Sequence, residues 1–153
     1  AFYPEGRPLH TESKERKRLA WGSALTLALL FVQVATGALV RGRIQLIDEI
    51  SPRAEWFAGA GSLGPLHGNI AVLMASAVIV LGVLTLKDRA ASVRKAGRRA
   101  AARVMGQALA GWGLQYLSFP AVLQVLHLWL ATALLATVFA LGLLALRLEP
   151  EPA

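Results

Sequence analysis

The sequence predicts an all-α integral membrane protein: a transmembrane four-helix bundle made of two repeated helix pairs, with both termini cytoplasmic. Three observations predict it. Of the 153 residues, 56% are hydrophobic, and they come in long blocks. The basic residues behind the formal charge of +7 cluster in two segments beside those blocks. That arrangement sets membrane topology; it is not the layout of a nucleic-acid surface. Finally, two pairs of blocks share a pattern, Gln-x-x-x-Gly on the first member and His-x-x-x-Ala on the second. The length suits a single membrane domain over residues 1–153. The absence of cysteine excludes disulfides, Cys-ligated zinc, iron–sulfur clusters and a thiol nucleophile.

Residues 1–18 are polar, rich in charge and proline, and end in Lys14-Glu15-Arg16-Lys17-Arg18. From Leu19 to Val40 no residue is charged, close to the ~20 residues a helix needs to cross a bilayer. The run exceeds the ~7–15 residues of a signal-peptide core and contains Gln33 and Thr36, so it reads as a retained helix. The connection over 41–64 carries Arg41, Arg43, Asp48, Glu49, Arg53 and Glu55 with Trp56 and Phe57. Part of it is expected as a short interfacial helix. A second span is expected over about 65–86, with Pro65 in its first turn. The basic segment 87–99 follows as a loop. A third span, about 100–117, is short and needs Arg103 to snorkel. Proline disfavours helix at the residue before it, so Ser118-Phe119-Pro120 breaks the chain. The fourth span covers about 121–146, and a Pro/Glu tail ends the sequence.

Arginine and lysine orient these spans. The N-terminal segment and the 87–99 loop are strongly basic and belong in the cytoplasm. The 41–64 connection and the Ser118–Pro120 turn then lie outside. His67 and His127 consequently fall in the outer leaflet, the first two residues after Pro65 and the second seven after Pro120. Trp112, Tyr116, Phe119 and Trp129 suit an outer aromatic belt.

The paired motifs carry the candidate chemistry. They read Gln33-Val-Ala-Thr-Gly37 with His67-Gly-Asn-Ile-Ala71, and Gln107-Ala-Leu-Ala-Gly111 with His127-Leu-Trp-Leu-Ala131. Gln and Gly one turn apart share a helix face. They serve helix packing or an interhelical hydrogen bond, and both readings stay open. Ionisable groups inside a membrane are rare and usually functional, and imidazole is a common ligand of metals and haem iron. Two histidines without carboxylates or thiols beside them do not make a structural zinc site. A haem suits them better, held by two axial imidazoles from facing helices, with Ala71 and Ala131 leaving room for the ring. Arg41 ends the first span as an interfacial anchor or as a partner of haem propionates. Asn69 is open to capping, packing or ligand contact, and His10 belongs to the solvated N-terminal segment. Neither a phosphate-binding loop nor a Ser/His/Asp arrangement is apparent.

These residues resemble the haem A synthases, a family that helps build cytochrome oxidases. The resemblance rests on Gln33-Val-Ala-Thr-Gly37-Ala-Leu-Val-Arg41, on the histidine-led second and fourth spans, and on Gln107 through Pro120 to His127. It covers most of residues 19–146, and the chain is similar to one four-helix half of an eight-helix member. The resemblance implies His67 and His127 as axial ligands of haem iron. It implies oxidation of a methyl group of haem O to the formyl group of haem A, with electrons passed to an external acceptor. It also implies work beside a haem O synthase or cytochrome oxidase components. Two departures stand out. The family's catalytic half has Glu-x-x-His where this chain has Gly64-Pro65-Leu66-His67, and the family's outer-loop cysteine pair is missing. Asp48, Glu49 and Glu55 are the remaining candidates for proton handling. Three readings therefore stay open: a haem A synthase-type oxidoreductase, a b-type cytochrome electron-transfer subunit, and a cofactor-free assembly or structural subunit of a respiratory complex. In each, the protein lies in the cell membrane, and a homo-oligomer would restore an eight-helix arrangement.

Overall fold

The computed structural model describes residues 13–88 and 90–147. Among them there are only helices and their connections: α1 (Ser13–Gln45), a 3-10 turn (Arg53–Glu55) leading into the short α2 (Trp56–Gly59), α3 (Leu63–Thr85), α4 (Ala91–Tyr116) and α5 (Ala121–Arg147). His10 and most of the Pro/Glu tail lie outside the described residues.

α1 is longer than its apolar core. It begins in the basic segment and runs past Arg43, about 50 Å at ~1.5 Å per residue. Glu15 in its first turn and Arg43 in its last oppose the helix dipole favourably. α3 starts at Leu63, two residues before Pro65. This earlier start leaves His67 and His127 within about two residues of the same depth in their helices, ~3 Å along the axis.

α1 packs against α3 and α5, and α4 packs against the same two helices. The four long helices thus form a ring in which the histidine-bearing α3 and α5 are diagonal partners. The helix pairs repeat in their burial as well as their motifs. On α1 the inward residues include Leu19, Ser23, Thr26, Leu30, Gln33 and Thr36. On α4 they are Val93, Gly97, Ala100, Val104, Gln107 and Ala110, each 74 positions later. Met74, Val78, Leu81 and Thr85 of α3 likewise match Leu134, Val138, Leu141 and Ala145 of α5 at an offset of 60. Crossing points repeat too. Gly142 packs on Ser23 and Gly82 packs on the Gly97 carbonyl, at matched positions of the two pairs.

The outward faces are apolar. Leu25, Phe31, Val72, Val80, Leu109, Val122 and Leu128 are all exposed, as contact with lipid requires. Three of the described helices, α1, α3 and α5, are long and apolar enough to span a membrane. α4 is not among them, because its first half carries Arg94, Lys95, Arg98, Arg99 and Arg103. The 87–99 segment, expected as a loop, is helical from Ala91. Alanine, arginine and lysine are strong helix formers, and Val93, Gly97 and Ala100 give this stretch a small inward face. Arg103, the cation within the third span, has a partner inside the bundle. Its Nη1 donates to the Ala133 carbonyl of α5 at 3.0 Å.

A second apolar cluster closes the end expected to be extracytoplasmic. Val40, Ile44, Trp56, Ala60 and Phe119 bury one another, with Ile47, Phe57, Leu63 and Leu114 packed around them. Trp56 was expected at a headgroup interface but points inward, where its indole N–H donates to the Ser51 carbonyl at 3.2 Å. Phe119 is buried as well, stacking tilted on Trp56 with centroids 5.8 Å apart. Trp112, Tyr116 and Trp129 remain exposed. The α4–α5 turn uses positive φ at Ser118 (55°) and Phe119 (56°). The Leu117 and Phe119 amides there donate back to the Gly113 and Leu114 carbonyls, closing the end of α4 as a left-handed cap does.

Candidate functional site

Helical spacing places Gln33 and Gly37 on one face of α1, and Gln107 and Gly111 on the matching face of α4. Each face receives an imidazole from its neighbour. The Gln33 amide donates to His67 Nε2 at 3.2 Å, and the Gln107 amide donates to His127 Nε2 at 3.0 Å. The glycines make room for the rings. An added methyl at Gly37 would lie 3.0 Å from His67 Cε1, and one at Gly111 would lie 3.2 Å from His127 Cε1. Both histidines are half-buried. The glutamines therefore do more than pack: each orients the imidazole of its own pair.

Outside the glutamines, the two sites diverge. Thr36 Oγ1 lies 3.2 Å from His67 Nδ1 and 3.0 Å from the carbonyls of both Val32 and Gln33. A hydroxyl has one proton, which goes to a carbonyl, so the oxygen accepts from His67 Nδ1–H. The Nε2 atom then carries the lone pair that accepts from Gln33. His127 Nδ1 is buried without a partner, and so are Gln33 Oε1 and Gln107 Oε1. Ser23 Oγ is likewise buried without a partner; buried polar atoms are usually satisfied, so each of the four has unused hydrogen-bonding capacity.

Arg41 stands at the C-terminal end of the same α1 face, exposed, with Nη1 donating to Gln124 Oε1 at 3.0 Å. Gln124 in turn donates to the Phe119 carbonyl at 2.9 Å and precedes His127 by one turn. Arg41 thus belongs to the histidine end of the molecule. Sequence reasoning missed Gln124 and the role of Thr36. Thr36 differs from its counterpart Ala110, and that difference was the available signal.

Asp48, Glu49 and Glu55 are exposed on the α1–α3 connection, and neither imidazole hydrogen-bonds to any of them. Asn69 is exposed. Gly64 is buried, and a Cβ there would meet the Phe57 ring at 3.1 Å and the Phe57 carbonyl at 3.3 Å. Among the described residues no three His, Cys, Asp or Glu side chains come together as a metal-ligating group, so the two imidazoles are the donors on offer. Comparison with family models, with curated proteins and with solved structures gives no match.

Proposed function

We propose that the chain is a four-helix transmembrane protein with cytoplasmic termini that holds one haem through His67 and His127. The observation that carries this reading is the pair of half-buried imidazoles held by Gln33 and Gln107 at matched positions of two diagonal helices. The donor set suits the group. Neutral imidazoles are what axial ligation needs, and the Gln33 and Gln107 amides would have to release the Nε2 lone pairs they now occupy for the iron to take them. Ala71 and Ala131 are small one turn further in, and the orphaned Gln33 Oε1, Gln107 Oε1 and His127 Nδ1 fit an incomplete site. Haem bound there supplies one-electron redox chemistry. The chain's own residues orient the imidazoles (Gln33 and Gln107), fix a tautomer (Thr36) and offer a guanidinium to a propionate (Arg41). The fourth span rests on α4, whose cations face the basic cytoplasmic side that also holds Lys14–Arg18.

The resemblance to haem A synthases supports a finer reading, conversion of haem O to haem A. Oxidising a methyl group calls for proton handling, and Phe57 fills the space beside Gly64 where the family's glutamate would project. That contact favours a second reading, a b-type haem protein that carries electrons without altering its cofactor. Haem extraction and chromatography separate the two. Protein expressed with haem O yields haem A under the first reading and unchanged haem under the second. His67→Ala and His127→Ala should each lose most bound haem in a pyridine haemochrome assay. Haem content unchanged in both would end the proposal.

A further inference from the structure

The two helix pairs match at their glycine crossings but differ toward the basic end. At the α3–α4 crossing, the Thr85 side chain packs on Gly97 and fills the contact. The matched residues of the α1–α5 crossing are Ala145 and Ser23, and Ala145 lacks the two heavy atoms that Thr85 places there. Beside it α1 and α5 leave a groove of about 450 Å³. Ala20, Trp21 and Ala24 of α1 and Ala145 of α5 form apolar walls, and Arg16 and Lys17 line the end nearest the start of α1. At the positions matching Ala20, Trp21 and Ala24, α4 carries Arg94, Lys95 and Arg98, so the second copy has no such apolar wall. Among the described residues lining the groove none is acidic. Glu15 and Asp88 line a separate groove between α1 and the end of α3.

We infer that this groove is a binding site for one anionic phospholipid, whose phosphate meets Arg16 and Lys17 and whose acyl chain lies along Ala20, Trp21 and Ala24 against α5. The inference is separate from the haem reading. It rests only on α1 and α5 crossing a bilayer, for which both are long and apolar enough. Basic pockets between membrane helices, near the membrane surface, hold anionic headgroups. The two parts of the groove match the two parts of a phospholipid. Arg16 and Ala24 are ~12 Å apart along α1, so the cations reach headgroup level while the apolar walls stay in hydrocarbon. Trp21, 76% exposed, stands between them, and indole prefers that boundary. Charge selects the occupant. Two cations without a carboxylate favour a net negative headgroup over a zwitterionic one. A free phosphate would satisfy the cations and leave the apolar walls uncovered, and the basic segment of a second copy would be repelled.

Native mass spectrometry tests this on the full chain, reconstituted into vesicles of equal phosphatidylglycerol and phosphatidylcholine and released in mild detergent. The wild type should retain phosphatidylglycerol about tenfold over phosphatidylcholine. Arg16→Gln combined with Lys17→Gln should abolish that preference. Arg98→Gln combined with Arg99→Gln removes the same charge from exposed positions of α4 and should preserve it. Ala24→Leu keeps every charge, fills the groove and should lower retention severalfold, with helicity by circular dichroism unchanged. Excess inorganic phosphate should leave the lipid in place. Equal retention of both lipids by the wild type overturns the site. So does an equal loss in the two charge-removed variants, which marks a diffuse basic surface. Displacement by phosphate overturns it too, because the cations then serve a free anion. Protein that stays out of the vesicles defeats the transmembrane reading and the lipid site with it.

Discussion

At the scale of single residues, the site depends on glycine as much as on histidine. Gly37 and Gly111 each stand where a side chain would push an imidazole off its helix. Gly37→Ala needs a shift of a few tenths of an ångström, and such overpacking costs about 1–3 kcal/mol. We expect about a tenfold or greater loss of haem retention in Gly37→Ala, measured as the haem-to-protein ratio after gel filtration, with helicity by circular dichroism unchanged. Gly111→Ala, with 0.2 Å more room, should lose less. The Gln-x-x-x-Gly and His-x-x-x-Ala patterns were legible because helical periodicity puts i and i+4 on one face without reference to anything distant. The bond from Thr36 to His67 was not legible. It joins positions 31 residues apart, and only the packing of α1 on α3 brings the hydroxyl to the ring.

At the scale of helices, close approach explains what the repeat preserves. Gly97 of α4 is crowded by the Thr85 side chain, whose hydroxyl donates to the Gly82 carbonyl of α3 at 2.6 Å. Its counterpart on α1 is Ser23, packed on Gly142. Gly97→Ala should lower the thermal midpoint in detergent, by the ~1–3 kcal/mol expected of overpacking, because Thr85 cannot retreat without losing its carbonyl partner. Ser118→Gly should raise the midpoint slightly, by an amount matching about 1 kcal/mol, since Ser118 sits at a positive φ that glycine adopts freely. The sequence located the α4–α5 break through Pro120, a local steric rule. The basic 87–99 segment, legible as a connection between spans, is helical from Ala91, because its residues favour helix once Val93, Gly97 and Ala100 have a surface to pack on.

At the scale of the whole molecule, charge asymmetry and the Trp56–Phe119 cluster define two different ends. The chain has no cysteine, so single-cysteine variants report sidedness cleanly. Ser62→Cys should react with a membrane-impermeant maleimide from outside intact cells, and Ala91→Cys should react only after the membrane is opened. The reverse pattern would invert the topology. Trp56→Ala should cost about 3–5 kcal/mol of stability, measured by thermal unfolding in detergent, because Trp56 is buried where the α1–α3 connection meets Phe119. The sequence could not foresee that cluster, since it gathers residues from α1, α2 and the α4–α5 turn. The short turn at Ser118–Pro120 has a consequence for biogenesis. On the proposed topology it leaves too little chain for α4 and α5 to enter the bilayer separately. α5 is apolar enough to partition by itself and draws the less apolar α4 in with it as a hairpin. Arg103 then meets the Ala133 carbonyl during entry, so its charge reaches the hydrocarbon already hydrogen-bonded.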